Sequence, residues 1–374
     1  MRTFWLAILL FAAGVALPGA EAPSDTEARK IFLEAKAKAE AGDAGAQSIL
    51  GNCYYHGEGV REDEAEAAKW YRKAADQGDV RAQFSLGVMY AKGRGVSKDE
   101  AESVKWYRKA ADQGYAQAQV NLGQMYANGE GVPKDEGEAL KWNRKAADQG
   151  GAVAQFNLGY AYAIGSGVPK DEAEALKWYR KAADQGYADA QFNLGNAYAT
   201  GSGVPKDEAE ALKWFRRAAD QGDAEAQFNL GNMYAYGRGV PKDEAEAVKW
   251  YRKAADQGDA VAQFNLGYMY AYGRGVAKDE AEAVKWYRKA ADQGRANAQN
   301  GLGVMYAKGQ GVPKDETEAY KWFLLSGAQG DETARKNYAR LERTLTSTQR
   351  AEGQRLAREF RPRPSKLGEG NESP

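Results

Sequence analysis

Tryptophan stands at positions 70, 106, 142, 178, 214, 250, 286 and 322, each 36 residues after the one before. The Leu-Gly pairs from Leu50-Gly51 to Leu302-Gly303 keep the same step. A strict period of this size means that each unit is a small supersecondary element that cannot bury its own apolar face, so neighbours must stack. The repeated part of this 374-residue chain therefore forms a linear array, and the usual ~100–200 residues per compact domain do not apply to it. Eight units run from Asp43 to Gly330.

The fifth unit, Tyr187 to Gly222, shows what one period contains. Ala190, Leu194, Ala197 and Tyr198 recur at helical spacing and give a first helix with one apolar stripe. Gly201 and Gly203 stop it, and glycine recurs at both positions in every unit, as a left-handed cap and a close turn require. Asp207 is then a natural N-cap, with Glu210 three residues on to reach back and complete a capping-box pair. A second helix follows, with Ala211, Trp214, Ala218 and Ala219 as its buried stripe, and Gln221-Gly222 ends it. Small residues at fixed positions let helices approach closely enough for each tryptophan to find a pocket.

These residues, written out as Ala-Gln-x-x-Leu-Gly-x-x-Tyr-x-x-Gly-x-Gly-Val-x-x-Asp-x-x-x-Ala-x-x-Trp-x-x-x-Ala-Ala-x-x-Gly, resemble the Sel-one-like repeat (SLR) family, a relative of the tetratricopeptide repeats. In the first unit the pattern is carried by Ala46, Gln47, Leu50, Gly51, Tyr54, Gly57, Gly59, Val60, Asp63, Ala67, Trp70, Ala74, Ala75 and Gly78. The departures are small: Ser103 replaces one alanine, and Ser326-Gly327 replaces the last Ala-Ala pair. The resemblance implies an all-α, right-handed α-solenoid of stacked helix-turn-helix repeats that scaffolds protein complexes, often in bacterial envelopes. It implies no reaction and no cofactor. Some secreted relatives carry a disulfide in each repeat; here Cys53 is the only cysteine, and the repeat register places it with Met89 and Met125 as a core residue.

The expected plan is a signal peptide at 1–22, an N-terminal capping helix at 23–42, eight Sel-one-like repeats at 43–330, C-terminal capping helices at 331–360 and a disordered tail at 361–374. The first residues combine Arg2 with an apolar run of about 14 residues ending in small side chains, which is signal-peptide anatomy and shorter than the ~20 residues a membrane span needs. Export, to the periplasm or outside the cell, is the expected localisation, with no membrane span in the mature chain. Thr26 to Ala41 reads as an unpaired second helix, and Thr346 with Gln349 as the cap of a last helix. The tail "RPRPSKLGEGNESP" is polar and rich in Pro and Gly.

Lysine and arginine number 52, as do aspartate and glutamate, so no global basic field attracts nucleic acid. His56 is the only histidine, at a freely varying position near a helix end, which leaves neither a histidine metal site nor a Ser-His pair. The Asp/Glu clusters are the same helix start repeated eight times, so a carboxylate-dependent hydrolase is the weakest reading. The GSGVPKD and GRGVPKD loops lack Walker spacing. In WYRKAADQG the tryptophan is core and the Arg-Lys pair a solvated face.

The face of the first helix opposite its core stripe varies where the rest does not. It reads Arg81, Ser85, Val88 and Lys92 in the second unit; Val153, Asn157, Tyr160 and Ile164 in the fourth; Glu225, Asn229, Asn232 and Tyr236 in the sixth; and Val261, Asn265, Tyr268 and Tyr272 in the seventh. In repeat relatives the first helices line the concave surface, which makes this face a groove by analogy. Asn121, Asn157, Asn193, Asn229 and Asn265 form a ladder on it, suited either to clamping an extended backbone or to bonding the neighbouring repeat. With Tyr160, Tyr236, Tyr268 and Tyr272 as aromatic anchors, the expected function is an exported scaffold binding a protein or peptide, centred on units four to seven. A cell-wall glycan is the alternative ligand, since tyrosine and asparagine also suit sugars.

Overall fold

The computed structural model describes residues 25–363. The expected signal peptide and residues 364–374 of the expected tail lie outside the described residues. Among the described residues there are 19 helices and no strand. Helix α1 (Asp25–Glu40) precedes the repeats. The first helices are α2 (Ala44–His56), α4 (Val80–Lys92), α6 (Ala116–Asn128), α8 (Ala152–Ile164), α10 (Ala188–Thr200), α12 (Ala224–Tyr236), α14 (Ala260–Tyr272) and α16 (Ala296–Lys308). The second helices are α3 (Glu64–Asp76), α5 (Glu100–Asp112), α7 (Glu136–Asp148), α9 (Glu172–Asp184), α11 (Glu208–Asp220), α13 (Glu244–Asp256), α15 (Glu280–Asp292) and α17 (Glu316–Ala328). Helices α18 (Glu332–Glu342) and α19 (Ser347–Glu359) follow. The result is an all-α solenoid.

The chain divides into two compact bodies, one ending at Lys181 and the other beginning at Ala182. In the first, consecutive helices pack in series from α1 through to α8, the last pair being α7 and α8; in the second they do so from α10 through to α18, the last pair being α17 and α18, and α19 returns to α17. Every second helix starts at an aspartate whose side chain accepts from the backbone N–H three residues on, from Asp63 and Glu66 to Asp315 and Glu318. First helices end at a left-handed glycine such as Gly237, φ 67°.

Two glycine positions set the packing distances. A Cβ on Gly231 would stand 2.6 Å from Cδ1 of Tyr251, so the bare backbone of α12 is what lets the tyrosine of α13 lie flat against it. In the turn, a Cβ on Gly239 would stand 2.2 Å from the carbonyl oxygen of Glu208, and the same residue needs φ 66°. That contact is with backbone of the preceding repeat, which no rotamer change relieves.

The polar side chains of the seam do not follow the capping-box expectation. The backbone N–H of Asp207 is already taken by the carbonyl of Tyr198 at 2.9 Å, leaving nothing for Glu210 to reach back to. Glu210 points forward and accepts the indole N–H of Trp214 at 3.0 Å and the Lys213 ammonium at 2.9 Å. Six other repeats do the same, from Glu102 with Trp106 to Glu318 with Trp322. In the first repeat the Glu66 carboxylate accepts from Lys69, and Trp70 Nε1 is buried with no hydrogen-bond partner among the described residues.

Nor is the Arg-Lys pair simply a solvated face. Arg252 crosses to the next repeat, lies 5.5 Å from the ring centroid of Tyr270 and donates to its hydroxyl. Lys253 lies back over its own Trp250, Nζ 3.9 Å from the ring centroid. The eighth repeat has Leu325 where this lysine would be, and there the ring of Phe360 meets Trp322 edge-on at 5.5 Å. The chain beyond Phe360 continues along this side: the N–H of Arg363 donates to the carbonyl of Asp292 at 2.8 Å. Those residues belong to the stretch expected to lack order.

A glutamine ladder completes the seam. Gln227 donates to the Ala219 carbonyl of the preceding second helix at 3.1 Å and accepts from Gln257, at the end of its own repeat, at 2.8 Å. The same exchange joins Ala39, Gln47 and Gln77 at one end of the array and Ala291, Gln299 and Gln329 at the other. Cys53 is buried as its register implies, and loss of water pushes its thiol up to about 12, which makes it an inert packing residue. No described helix is long and apolar enough to cross a membrane.

Candidate binding face on the first helices

The asparagine ladder lies half-buried, and two of its five amides, Asn157 and Asn193, hydrogen-bond within the protein. Asn157 donates to Asn143 at 3.5 Å, while Asn121 stands against the Tyr107 hydroxyl and Asn265 against that of Tyr251, close enough to offset part of the rise that burial gives each phenol's pKa; in each case the neighbour belongs to the second helix of the preceding repeat. Asn232 accepts from the Tyr251 hydroxyl at 2.7 Å. Asn193 turns back to the Asp189 carbonyl of its own helix at 2.8 Å. Of the two roles that the sequence left open for these amides, Asn157 makes the bond to the neighbouring repeat, and Asn121 and Asn265 face a tyrosine of that repeat. Asn229 differs: the equivalent residue before it is Phe215, which has no hydroxyl, and the Asn229 amide makes no side-chain hydrogen bond among the described residues.

The tyrosines behave otherwise. Tyr236 is 67% exposed, Tyr272 65%, Tyr160 51% and Tyr268 36%, although tyrosines of the second helices such as Tyr251 are buried. In the first body Tyr160 stands on α8 with exposed Val153 and Ile164, its ring 6.4 Å from that of Phe156, forming an apolar patch. In the second body the rings of Tyr268 and Tyr272 meet at a tilt of 43° with centroids 4.6 Å apart.

A cleft of about 130 Å³ in the second body brings together three of the predicted residues, Tyr236, Asn265 and Tyr268, over a floor of Tyr251 and Met269. Its rim carries Lys242, Glu244 and Arg274. Glu244 holds Lys242 at 2.8 Å and Arg274 at 3.4 Å, and the hydrogen bond from Lys242 is the main reason its carboxyl sits below the usual range. Arg274 lies 5.9 Å from the ring centroid of Tyr268, and Arg238 lies 5.4 Å from that of Tyr236. The arginines were not among the residues the sequence singled out. Their signal was present in the turn: Gly-Arg-Gly directly follows Tyr236 and Tyr272, where the fourth and fifth repeats have Gly-Ser-Gly.

The opposite ends of these helices are acidic. Loss of water first, and then the charges of Asp223, Asp259 and Asp189, hold the Glu225 carboxyl above its usual range. Asp223, which caps α12, is raised by burial and by Asp189. No group of three or more His, Cys, Asp or Glu among the described residues is arranged to hold a metal ion.

Paired helices at a fixed period, with an unvarying seam and a varied outer face, define a repeat solenoid. The chain belongs to the Sel1 repeat family, whose pattern matches residues 44–79, 80–115, 116–151, 152–187, 188–223, 224–259, 260–294 and 296–331. It is similar to the crystal structure of a Sel1 repeat protein from Oxalobacter formigenes, 36% identical over 88% of this chain and 99% of that one, with a TM-score of 0.64. It is also similar to a protective antigen present in uropathogenic Escherichia coli strains that displays an SLR fold, 34% identical over 95% of this chain and 83% of that one, with a TM-score of 0.54. No curated protein matches the chain. Sel1 repeat solenoids are typically scaffolds for protein interaction and not enzymes.

Proposed function

We propose that this protein is an exported scaffold that binds a protein or peptide segment on the outer face of its first helices. The observation that carries this reading is the exposure of Tyr236, Tyr268 and Tyr272 on two adjacent repeats, in a molecule whose other aromatic positions are largely committed to packing. Aromatic side chains offer large, stiff contact area and are the commonest interface anchors. The signal-peptide anatomy of the first residues supports export, and the even charge balance speaks against nucleic acid.

The test is affinity capture from a cell-envelope extract with the mature chain and, beside it, a Tyr236→Ala, Tyr268→Ala, Tyr272→Ala chain of equal helicity by circular dichroism. A protein retained only by the unaltered chain is the expected result. Equal retention by both would remove the face from the proposal, and retention of peptidoglycan fragments alone would replace the protein partner with a glycan. Mass analysis of the N-terminus of the exported chain, expected between residues 20 and 23, tests the leader.

A further inference from the structure

Resting on that reading, we propose that the cleft beside Tyr236 and Tyr268 takes one aromatic residue of an acidic peptide segment, whose carboxylates pair with Arg238, Arg274 and Lys242. The size of the cleft sets the first limit. At about 130 Å³ it falls well short of the ~300–1,000 Å³ typical of small-molecule sites, and so suits one side chain of a longer ligand. Tyrosine rings on two repeats and the Met269 thioether give that side chain an aromatic and polarisable lining.

Charge sets the second limit. The rim holds two cations and one carboxylate, and Glu244 already serves both of its neighbours. Arg238 adds a third cation; it lies over Tyr236 and, although its charge reaches the Glu208 carboxyl, which Lys206 holds at 2.8 Å, it makes no ion pair within 4.0 Å among the described residues. The equivalent arginine of the second repeat shows what a committed side chain looks like: Arg94 donates to the Tyr55 hydroxyl at 2.8 Å and pairs with Glu64 at 3.9 Å. Other repeats place Glu58, Glu130, Ser166, Ser202 or Gln310 here, so the cationic excess coincides with the exposed tyrosines. Guanidinium groups beside aromatic rings suit a ligand that presents a carboxylate next to a ring.

Asp223, Glu225 and Asp259, with Asp189 of the repeat before, give the third limit, because they repel an anion at the far end of α12 and α14. An acidic segment is thereby confined to the end where the arginines stand, and a basic one is drawn away from the cleft. Asn229, unpaired and half-buried on α12, is available to the ligand backbone between the two.

The experiment is selection of a displayed library of random twelve-residue peptides on the immobilised full chain, followed by fluorescence anisotropy of the enriched sequence. Enrichment of Trp, Tyr or Phe beside Asp or Glu is expected. The enriched peptide should bind at least ten-fold more weakly to Arg238→Gln, Arg274→Gln and to Tyr236→Ala, Tyr268→Ala chains of unchanged helicity, and the arginine pair should also flatten the salt dependence. Enrichment of basic or non-aromatic peptides that still need the tyrosines would overturn this inference and leave the scaffold reading in place. Peptides indifferent to both double variants, or no enrichment at all, would overturn it too; the envelope capture then decides the scaffold reading separately.

Discussion

The seam formed by the second helices and the outer face of the first helices obey different rules. In the seam each contact is made again one period on: Gln227 meets Gln257 within its repeat as Gln263 meets Gln293 in the next, and Arg252 meets Tyr270 as Arg288 meets Tyr306. A change at one position disturbs a contact that the next repeat also makes, so all repeats keep nearly one chemistry. On the outer face no copied contact exists above Tyr236 or Tyr268, and the equivalent positions hold His, Lys, Asn, Ile, Thr, Val and Gln. What the difference teaches is that stability and specificity occupy separate surfaces here, although both are written on the same 36-residue unit.

The largest expected effect would break that comparison if it failed. Trp250→Ala removes a buried indole, its bond to Glu246 at 3.0 Å and the surface on which Lys253 rests. Urea unfolding should show a loss of about 3–5 kcal/mol, as for other buried tryptophans. Tyr236→Ala, at an exposed ring of the outer face, should stay within about 0.5 kcal/mol of the unaltered chain. Similar losses from both would mean that the outer face is structural after all.

A middle-sized effect sharpens the seam itself. Gln227→Leu keeps the volume roughly constant but removes the donor to the Ala219 carbonyl and the acceptor for Gln257. Gln257 keeps a second acceptor, the Gly222 carbonyl at 2.8 Å, so the main cost is one desolvated polar group, about 1–3 kcal/mol. The urea midpoint reads it; an unchanged midpoint would mean the ladder is incidental to the stacking.

The parts of the fold that periodicity governs were legible in the sequence. The eight Asp caps, the left-handed glycines, the buried Trp and Ala stripe and the Thr346–Gln349 capping box are where spacing puts them. Spacing failed where one group had a choice of partners. Glu210 could serve a backbone N–H or an indole, and which one wins depends on the Tyr198 carbonyl occupying the cap first. The ladder asparagines had the same ambiguity, settled at Asn157 by the Asn143 amide of the repeat before. The cleft was half legible: its tyrosines stood out by varying, but its arginines lie in a turn whose glycines drew the reading toward backbone shape.

The smallest effect concerns acid. Lys105, Lys177 and Lys285 hydrogen-bond to Glu102, Glu174 and Glu282 and are the first cause of carboxyl groups held below their ordinary range, with the indoles of Trp106, Trp178 and Trp286 adding to it. A carboxyl whose folded value is depressed lends stability at any pH above its unfolded value of ~4.3, and that stability is lost as the pH falls through the folded value. The unaltered chain should therefore weaken between about pH 5 and pH 3, and a Glu102→Gln, Glu174→Gln, Glu282→Gln chain should weaken less steeply over the same interval. At pH 7 the triple variant should be slightly the less stable, by less than the Gln227→Leu chain, because each carboxylate is partly exposed and exposed pairs are weak. The two urea-midpoint curves should then converge on acidification. Parallel curves would mean that the indole bond, which an amide oxygen can also accept, accounts for the whole contribution of these glutamates and that their charge contributes nothing.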